Sequence, residues 1–326
     1  MRKILCFWFC CSWALAQPQK FTFQSPKMGA TFTIQVYATN TKSAARAADR
    51  AFAAVDSLNL IFSDYLTTSE LSQLSQTAGT GNEVLLSAAL FDILQQSKVA
   101  YQKSKGAFDI SVGTLTQLWR KSRKTKQLPD SVTLQKALQT IGFGNVKLHN
   151  KQKTCALLQP GTLLDLGGIG KGYAAQVMLT IMQEAGFRQV LCDAAGNMAI
   201  GEAPPNRQGW SVGVQFPDAH NKLLDKFLIL KNIAVSTSGD VYQFVEIEGI
   251  RYSHIVNPKT GLGLTNQRQV TVVAKHAAQA DWLSTACCIL PIEQALRLVK
   301  KEKATALILE QKNGKIITWK SKGWAD

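Results

Sequence analysis

The chain is 326 residues long, 46% hydrophobic, and carries a formal charge of +15. That is enough apolar material for one large domain or two closely joined lobes, and no segment beyond the amino terminus reaches the roughly 20 apolar residues of a membrane span. The charge suits nucleic acid, anionic lipid or an acidic partner, but the first residues point to export, which argues against nucleic acid and leaves peripheral membrane proximity or a protein partner.

Arg2 and Lys3 precede an apolar stretch from Ile4 to Trp13, followed by Ala14-Leu15-Ala16. That order reads as a secretory signal peptide over residues 1–16, cleaved near Ala16, which would deliver the protein to the periplasm or the outer face of the cytoplasmic membrane. Cys10 and Cys11 raise a lipid anchor as the alternative, which the bulky aromatics before them disfavour. Cleavage leaves Cys155, Cys192, Cys287 and Cys288. With no C-x-x-C spacing and no dense disulfide framework, these read as buried apolar thiols, their oxidation state open.

Residues 17–326 read as a single domain of two interleaved lobes. Thr31 to Tyr37 alternates with Phe32, Ile34 and Val36 on one face, the pattern of a half-buried strand. Ser43 to Phe62 recurs apolar at Ala48, Phe52, Val55 and Leu58 or Leu60, a helical stripe with Ser43 as its expected cap. Ser87 to Ser104 repeats the stripe with Leu90, Ile93, Leu94 and Tyr101. The basic run Arg120 to Lys126, which lacks aromatics and precedes Pro129, reads as a solvated loop. From residue 145 hairpins dominate, turning at Asn150 to Lys153, near Glu248-Gly249 and at Asn313-Gly314. Strands with helices between them, but without regular βαβ alternation, predict an α+β fold with mostly antiparallel sheets.

LLDLGGIGKGYAAQ, residues 163–176, allows three readings. A nucleotide-triphosphate loop fails, because Asp165 and Gly172 stand where Gly and Ser or Thr are required. A dinucleotide fingerprint has only its first half, Gly168 and Gly170, and lacks the βαβ context. A tight strand-to-helix turn needs only small residues and is favoured by the stretch alone. Even so, such glycines let backbone groups approach a ligand, a helix starting near Lys171 turns its positive end to the turn, and Lys171 adds a charge. A diphosphate would fit there, and Asp165 would accept from a ribose or base.

Asp281 reads first as the cap of the helix it opens, yet with Thr285 four residues on it also offers hard oxygens to magnesium. Exposed positions suffice for His149, His220 and His276. His254 differs, standing at the end of an alternating strand before the turn Asn257-Pro258-Lys259-Thr260-Gly261, a placement suited to a general base. Ser236-Thr237-Ser238-Gly239-Asp240 adds hydroxyls, and Asp109 in GAFDISVG adds a carboxylate.

Taken in order, Met28-Gly29-Ala30-Thr31, FSDYLTTSELS with Tyr65, Ser69 and Glu70, GAFDISVGTLTQLW, DLGGIGKGYAAQ, DAAGN, STSGD, RYSHIVNPKTG and ADWLSTA resemble the motifs of the ApbE family, the FAD:protein FMN transferases. The resemblance runs from about Met28 to the final hairpin. It implies an ApbE-like two-lobed α+β fold, mostly antiparallel or mixed sheets covered by helices, with a FAD site between the lobes. It further implies Mg2+-dependent transfer of the FMN half of FAD to a Thr or Ser of an acceptor protein, such as a membrane-associated electron-transfer subunit, with release of AMP. By motif position, FAD contacts fall on Met28, Tyr65, Ala107, Phe108, Asp109, Asp165, Lys171 and Ile255. The metal falls on the side chains of Asp281 and Thr285 and the backbone oxygens of Gly168 and Ser284, and His254 takes the proton of the acceptor hydroxyl. Thr67 stands where the family motif has proline, and Ala195-Gly196 replaces its double glycine.

Two other readings share these residues. Water as nucleophile would make the protein an FAD pyrophosphatase yielding FMN and AMP, and a periplasmic flavin-binding protein would have no turnover. A pure binder has no use for His254 beside a metal site, which favours catalysis.

Overall fold

The computed structural model describes residues 17–214, 226–240 and 243–324; the expected signal peptide and His220 lie outside the described residues. Two strands, β1 (Gln19–Lys27) and β2 (Ala30–Ala38), open the fold as a hairpin. Its two-residue turn, Met28-Gly29, has φ of 47° and 74°, the left-handed turn whose twist matches paired strands. Phe32, Ile34 and Val36 are fully buried, as their alternation predicts.

Helix α1 (Thr41–Phe62) buries Ala48, Phe52, Val55 and Leu58, while Leu60 faces solvent. Its cap is Asn40 rather than Ser43: the extended backbone of Asn40 lets its side-chain oxygen accept from the Ser43 N–H at 3.0 Å. Next come α2 (Glu70–Gln76), β3 (Val84–Leu85) and α3 (Ala88–Ser104). The Ser87 hydroxyl caps α3 by accepting from the Leu90 N–H.

The basic run is helix, not loop. Helix α4 (Gly113–Thr125) carries it, because Leu115, Trp119 and Ser122 recur at helical spacing on a buried face and outweigh the charges around them. Arg123 and Lys124 in the last turn also suit the negative end of the helix dipole. Helix α5 (Ser131–Leu138) follows, then β4 (Val146–His149) and β5 (Thr154–Leu157), the first expected hairpin, with β3 added at its edge.

Helix α6 (Gly170–Glu184) leads into β6 (Val190–Ala194), β7 (Asn197–Ile200), β8 (Trp210–Val214), β9 (Lys226–Leu230) and β10 (Ile233–Gly239). The second expected hairpin is β11 (Phe244–Ile247) with β12 (Ile250–Ser253), turning through left-handed Glu248-Gly249. The chain ends in β13 (Arg268–Ala274), α7 (Ala277–Ile289), α8 (Ile292–Lys301) and the hairpin of β14 (Thr305–Lys312) and β15 (Lys315–Lys320).

Eight strands form one sheet in the order β1-β2-β6-β7-β10-β13-β14-β15, every ladder antiparallel. Through Phe32, Ile34, Val270 and Val272 one face packs against α1, α6 and α7. The other face, with Leu191, Ile200, Val235 and Leu307, packs against Trp210, Val212 and Leu228 of the β8–β9 ribbon. A separate cluster joins Leu115 and Trp119 of α4 to Val245, Ile247 and Tyr252 of the β11–β12 ribbon. Each such side chain, fully buried, contributes about 1.5–3 kcal/mol. The indole N–H of Trp119 donates to the Ser253 carbonyl at 2.9 Å, which fixes the strand end that precedes His254. Among the described residues Cys155, Cys192, Cys287 and Cys288 are free and buried, and burial pushes the Cys155 and Cys287 thiols up to about 12. Among the described residues no helix is long and apolar enough to cross a membrane.

Candidate active site

A cleft of about 1050 Å³ is lined both by the helical layer on the large sheet and by α4 and the segment after β12. Met28, in its left-handed turn, lies at its edge, with Ala107 and Phe108 as buried walls. Tyr65 lines it with 74% of its surface exposed. Asp109 is held by the Ser111 hydroxyl at 2.7 Å and the Ser111 N–H at 2.9 Å, and burial raises its pKa. Asp165 accepts from the Gly167 N–H at 2.7 Å through one oxygen and from Arg120 at 3.1 Å through the other.

The glycine stretch is a tight turn into α6, whose first turn carries Lys171 facing the cleft. Gly168 is tightly enclosed: an added Cβ would lie 3.0 Å from the Phe108 ring and 3.2 Å from the Thr285 hydroxyl, so both side chains would have to shift. The backbone of this turn therefore sits directly against Thr285. Gly172 is tighter still, since a Cβ there would collide with the Ala277 backbone and lie 2.7 Å from the Asp281 Cβ.

Asp281 does not cap its own helix, because α7 begins four residues earlier and His276 occupies the cap position. It is buried in the middle of α7, where its Oδ2 accepts from the Gly172 N–H at 2.8 Å, so it caps the start of α6 instead. Burial pushes its pKa up to about 6, partly offset by Lys171 and by the Gly172 N–H. Thr285, one turn on, shares its hydroxyl with Ser238 at 3.2 Å. Ser284 lies behind the cleft wall, its hydroxyl donating to the Asp281 carbonyl at 2.8 Å and paired with that of Ser238 at 2.7 Å. Among the described residues no three His, Cys, Asp or Glu side chains cluster as metal ligands. Asp281 and Thr285 bring one carboxylate and one hydroxyl to this wall of the cleft, hard oxygen donors that suit a dication that keeps much of its water.

His254 follows β12, with Ile255 beside it in the cleft. Its Nδ1 lies 3.2 Å from the Gln243 carbonyl oxygen. A carbonyl only accepts, so Nδ1 carries the proton and Nε2 keeps its lone pair. Burial pushes the imidazole pKa down to about 4, with Arg123 and Lys171 lowering it further against the Gln243 hydrogen bond. At neutral pH the ring is an uncharged acceptor among cations.

Ile255 and all the other expected side chains line this cleft except Ser284. The sequence reading missed Asp64, Arg120 and Arg123, which also line it. Their signal was available: with the basic run read as helix, Val112, Thr116, Arg120 and Arg123 recur at helical spacing on the cleft side. The remaining histidines stand apart from the cleft, His149 half-buried 3.3 Å from Glu83 and His276 exposed before α7.

The molecule is thus an antiparallel α+β protein with one large, cation-bearing cleft built from widely separated segments. The model of the ApbE family matches residues 28–309, and the chain belongs to that family. A Treponema pallidum protein named FAD:protein FMN transferase is 28% identical over 289 residues, 84% of this chain and 80% of its own. A protein of the same name from Salmonella typhimurium is 25% identical over 311 residues, 94% of this chain and 89% of its own. The solved structure of the flavin transferase ApbE from Vibrio cholerae has a TM-score of 0.84 at 21% identity, covering 94% of this chain and 98% of that one. The apo form of the Pseudomonas stutzeri flavinyl transferase ApbE has a TM-score of 0.83 at 22% identity, covering 94% and 96%. At such identity these two likenesses concern the fold.

Proposed function

We propose that the protein transfers the FMN half of FAD to a Thr or Ser hydroxyl of an acceptor protein and releases AMP. The observation that carries the reaction chemistry is His254: a neutral imidazole with its Nε2 free, in the same cleft as Lys171 and the Asp281–Thr285 oxygens. The acceptor oxygen attacks the phosphorus of the FMN half, the phosphoanhydride bond to the AMP half breaks, and the acceptor proton passes to His254 Nε2. The two phosphates of a bound FAD would offset Arg123 and Lys171 and raise the basicity of the imidazole towards neutrality. A base so placed contributes roughly 10²–10⁴-fold.

Lys171, at the positive end of α6, would meet the diphosphate. Asp165 and Asp109 would accept from polar groups of FAD, while Met28, Tyr65, Ala107, Phe108 and Ile255 would supply its apolar contacts. Mg2+ would be held by Asp281, Thr285 and the carbonyl of Gly168, with the backbone oxygen of Ser284 as the fourth protein donor. When bound, it supplies positive charge to phosphoryl oxygens as charge gathers there. The close approach of the Gly168 turn to Thr285, with a buried carboxylate one helical turn away, supports this assignment.

From residue 17 on we take the chain as one domain, with FAD between the large-sheet lobe and the lobe of α4, α5 and the β11–β12 ribbon. The charged and apolar order of residues 1–16 supports export, with the acceptor a membrane-associated electron-transfer subunit. The test is to incubate the mature protein with FAD, Mg2+ and a candidate acceptor domain and to weigh the acceptor. A gain of one FMN supports transfer, AMP release without that gain indicates hydrolysis, and bound, intact FAD indicates a binding protein.

A further inference from the structure

Arg120, which opens the basic run, is half-buried against the cleft. A terminal guanidinium nitrogen of Arg120 lies 2.5 Å from Asp64 and 3.1 Å from Asp165, and its central carbon is 4.1 Å from the centre of the Tyr65 ring. Three distant pieces of chain meet at this side chain: the loop after α1, α4 itself, and the approach to the glycine turn.

The loop after α1 does not need Arg120 to hold its backbone. The Ser63 hydroxyl accepts from the N–H groups of Tyr65 and Leu66, each at 3.2 Å, and Ser69 donates to the Ser63 carbonyl. These bonds leave the exposed Tyr65 ring free to rotate; the guanidinium lying over one face fixes it. On the other side, Asp64 and Asp165 are mostly buried and share one cation. The Asp64 carboxyl is raised first by burial and then by the charge of Asp165, and Arg120 opposes both. Without Arg120 the two carboxylates would repel and the ring would be loose.

We infer that Arg120 is a positioning residue of the FAD site, which bridges Asp64 and Asp165 and lies against Tyr65 so that ring and carboxylate are in place before the substrate arrives. This rests on the flavin-transfer reading. Fixing side chains in advance removes the entropic cost of ordering them on binding. One guanidinium nitrogen meets both carboxylates while the guanidinium plane lies on the ring; a lysine ammonium could meet the carboxylates but has no plane to stack.

The experiment measures FAD affinity by quenching of flavin fluorescence, together with kcat and KM, for the wild type, Arg120→Met, Arg120→Lys, Tyr65→Leu and Arg120→Met/Tyr65→Leu. Circular dichroism melting checks each fold. Both Arg120 variants should bind FAD roughly three- to thirty-fold more weakly, with KM raised in proportion and kcat nearly unchanged. In the Tyr65→Leu background the Arg120→Met effect should shrink, because part of it acts through the ring. Should Arg120→Met fail to fold, Arg120→Lys keeps the charge and stem and carries the test. Wild-type affinity in a folded Arg120 variant, a fall in kcat at constant KM, or full additivity with Tyr65→Leu would overturn the inference. Failure of the wild type to bind FAD would instead overturn the flavin reading on which it rests.

Discussion

Asp281 of α7 accepts a hydrogen bond from the backbone N–H of Gly172 in α6 at 2.8 Å. That bond, with the absence of a side chain at Gly172, sets how closely the two helices cross and so where Lys171 stands relative to Thr285. Gly172→Ala would push a Cβ into the Ala277 backbone. Overpacking of this kind costs about 1–3 kcal/mol, and it would move the glycine turn away from Asp281 and Thr285. Urea denaturation should show the lower midpoint and an FAD titration the weaker binding; an unchanged midpoint would contradict the close crossing.

His254 gives a pH signature. Its pKa in the folded protein is pushed down to about 4 by burial, from an unperturbed value of about 6.5. Between these values the unfolded chain binds a proton that the folded chain refuses, so stability contributed by neutral His254 is complete above about pH 6.5 and is lost as pH falls towards 4. An NMR titration of the free protein should place the imidazole midpoint near 4, and Arg123→Gln should raise it. His254→Asn should flatten the acid limb of stability while retaining FAD binding and losing transfer by roughly 10²–10⁴-fold. A midpoint near 6.5 would show the ring to be solvated.

The parts of the fold that local pattern governs were legible in the sequence. Phe32, Ile34 and Val36 show their strand by alternation, and Glu248-Gly249 and Asn313-Gly314 show their turns because paired left-handed residues suit few others. Arg120 was misplaced because a dense run of charge hides the buried stripe of Leu115, Trp119 and Ser122 in α4 beneath it. Asp281 was misread as the cap of its own helix because its real partner is 109 residues away, beyond any local pattern. Most of the expected site residues share one cleft, yet the order of motifs, and no single spacing, is what grouped them.

Metal dependence separates charge from shape at Asp281. Asp281→Asn keeps an oxygen for the Gly172 N–H and removes a buried carboxylate that forms no ion pair among the described residues and feels Lys171 only at a distance. Stability should therefore hold or rise, since a buried charge is costly to keep, while the Mg2+ concentration for half-maximal transfer rises at least about ten-fold. Thr285→Val should show the same shift in milder form. Magnesium titration of activity, run beside thermal melting, distinguishes the two effects; a wild-type Mg2+ profile in Asp281→Asn would remove this residue from the metal site.

The β11–β12 ribbon that carries His254 is itself clamped at Asp240. Arg251 reaches the Asp240 carboxylate at 2.5 Å and its carbonyl at 2.7 Å, and lies 4.0 Å over the Phe244 ring. Asp240 is buried, which raises its pKa against the pull of Arg251. Arg251→Met would leave that carboxylate without its partner, a loss of about 3–5 kcal/mol when such a pair is broken from one side. Asp240→Asn in the same chain should recover part of it, because the uncompensated charge is gone. Gln243, at the start of the ribbon, orients the His254 ring through its carbonyl, so the loosened ribbon should reduce kcat more than FAD affinity. Denaturation of the single and double variants with steady-state kinetics on each tests both statements, and equal stability of Arg251→Met and wild type would show the clamp to be idle.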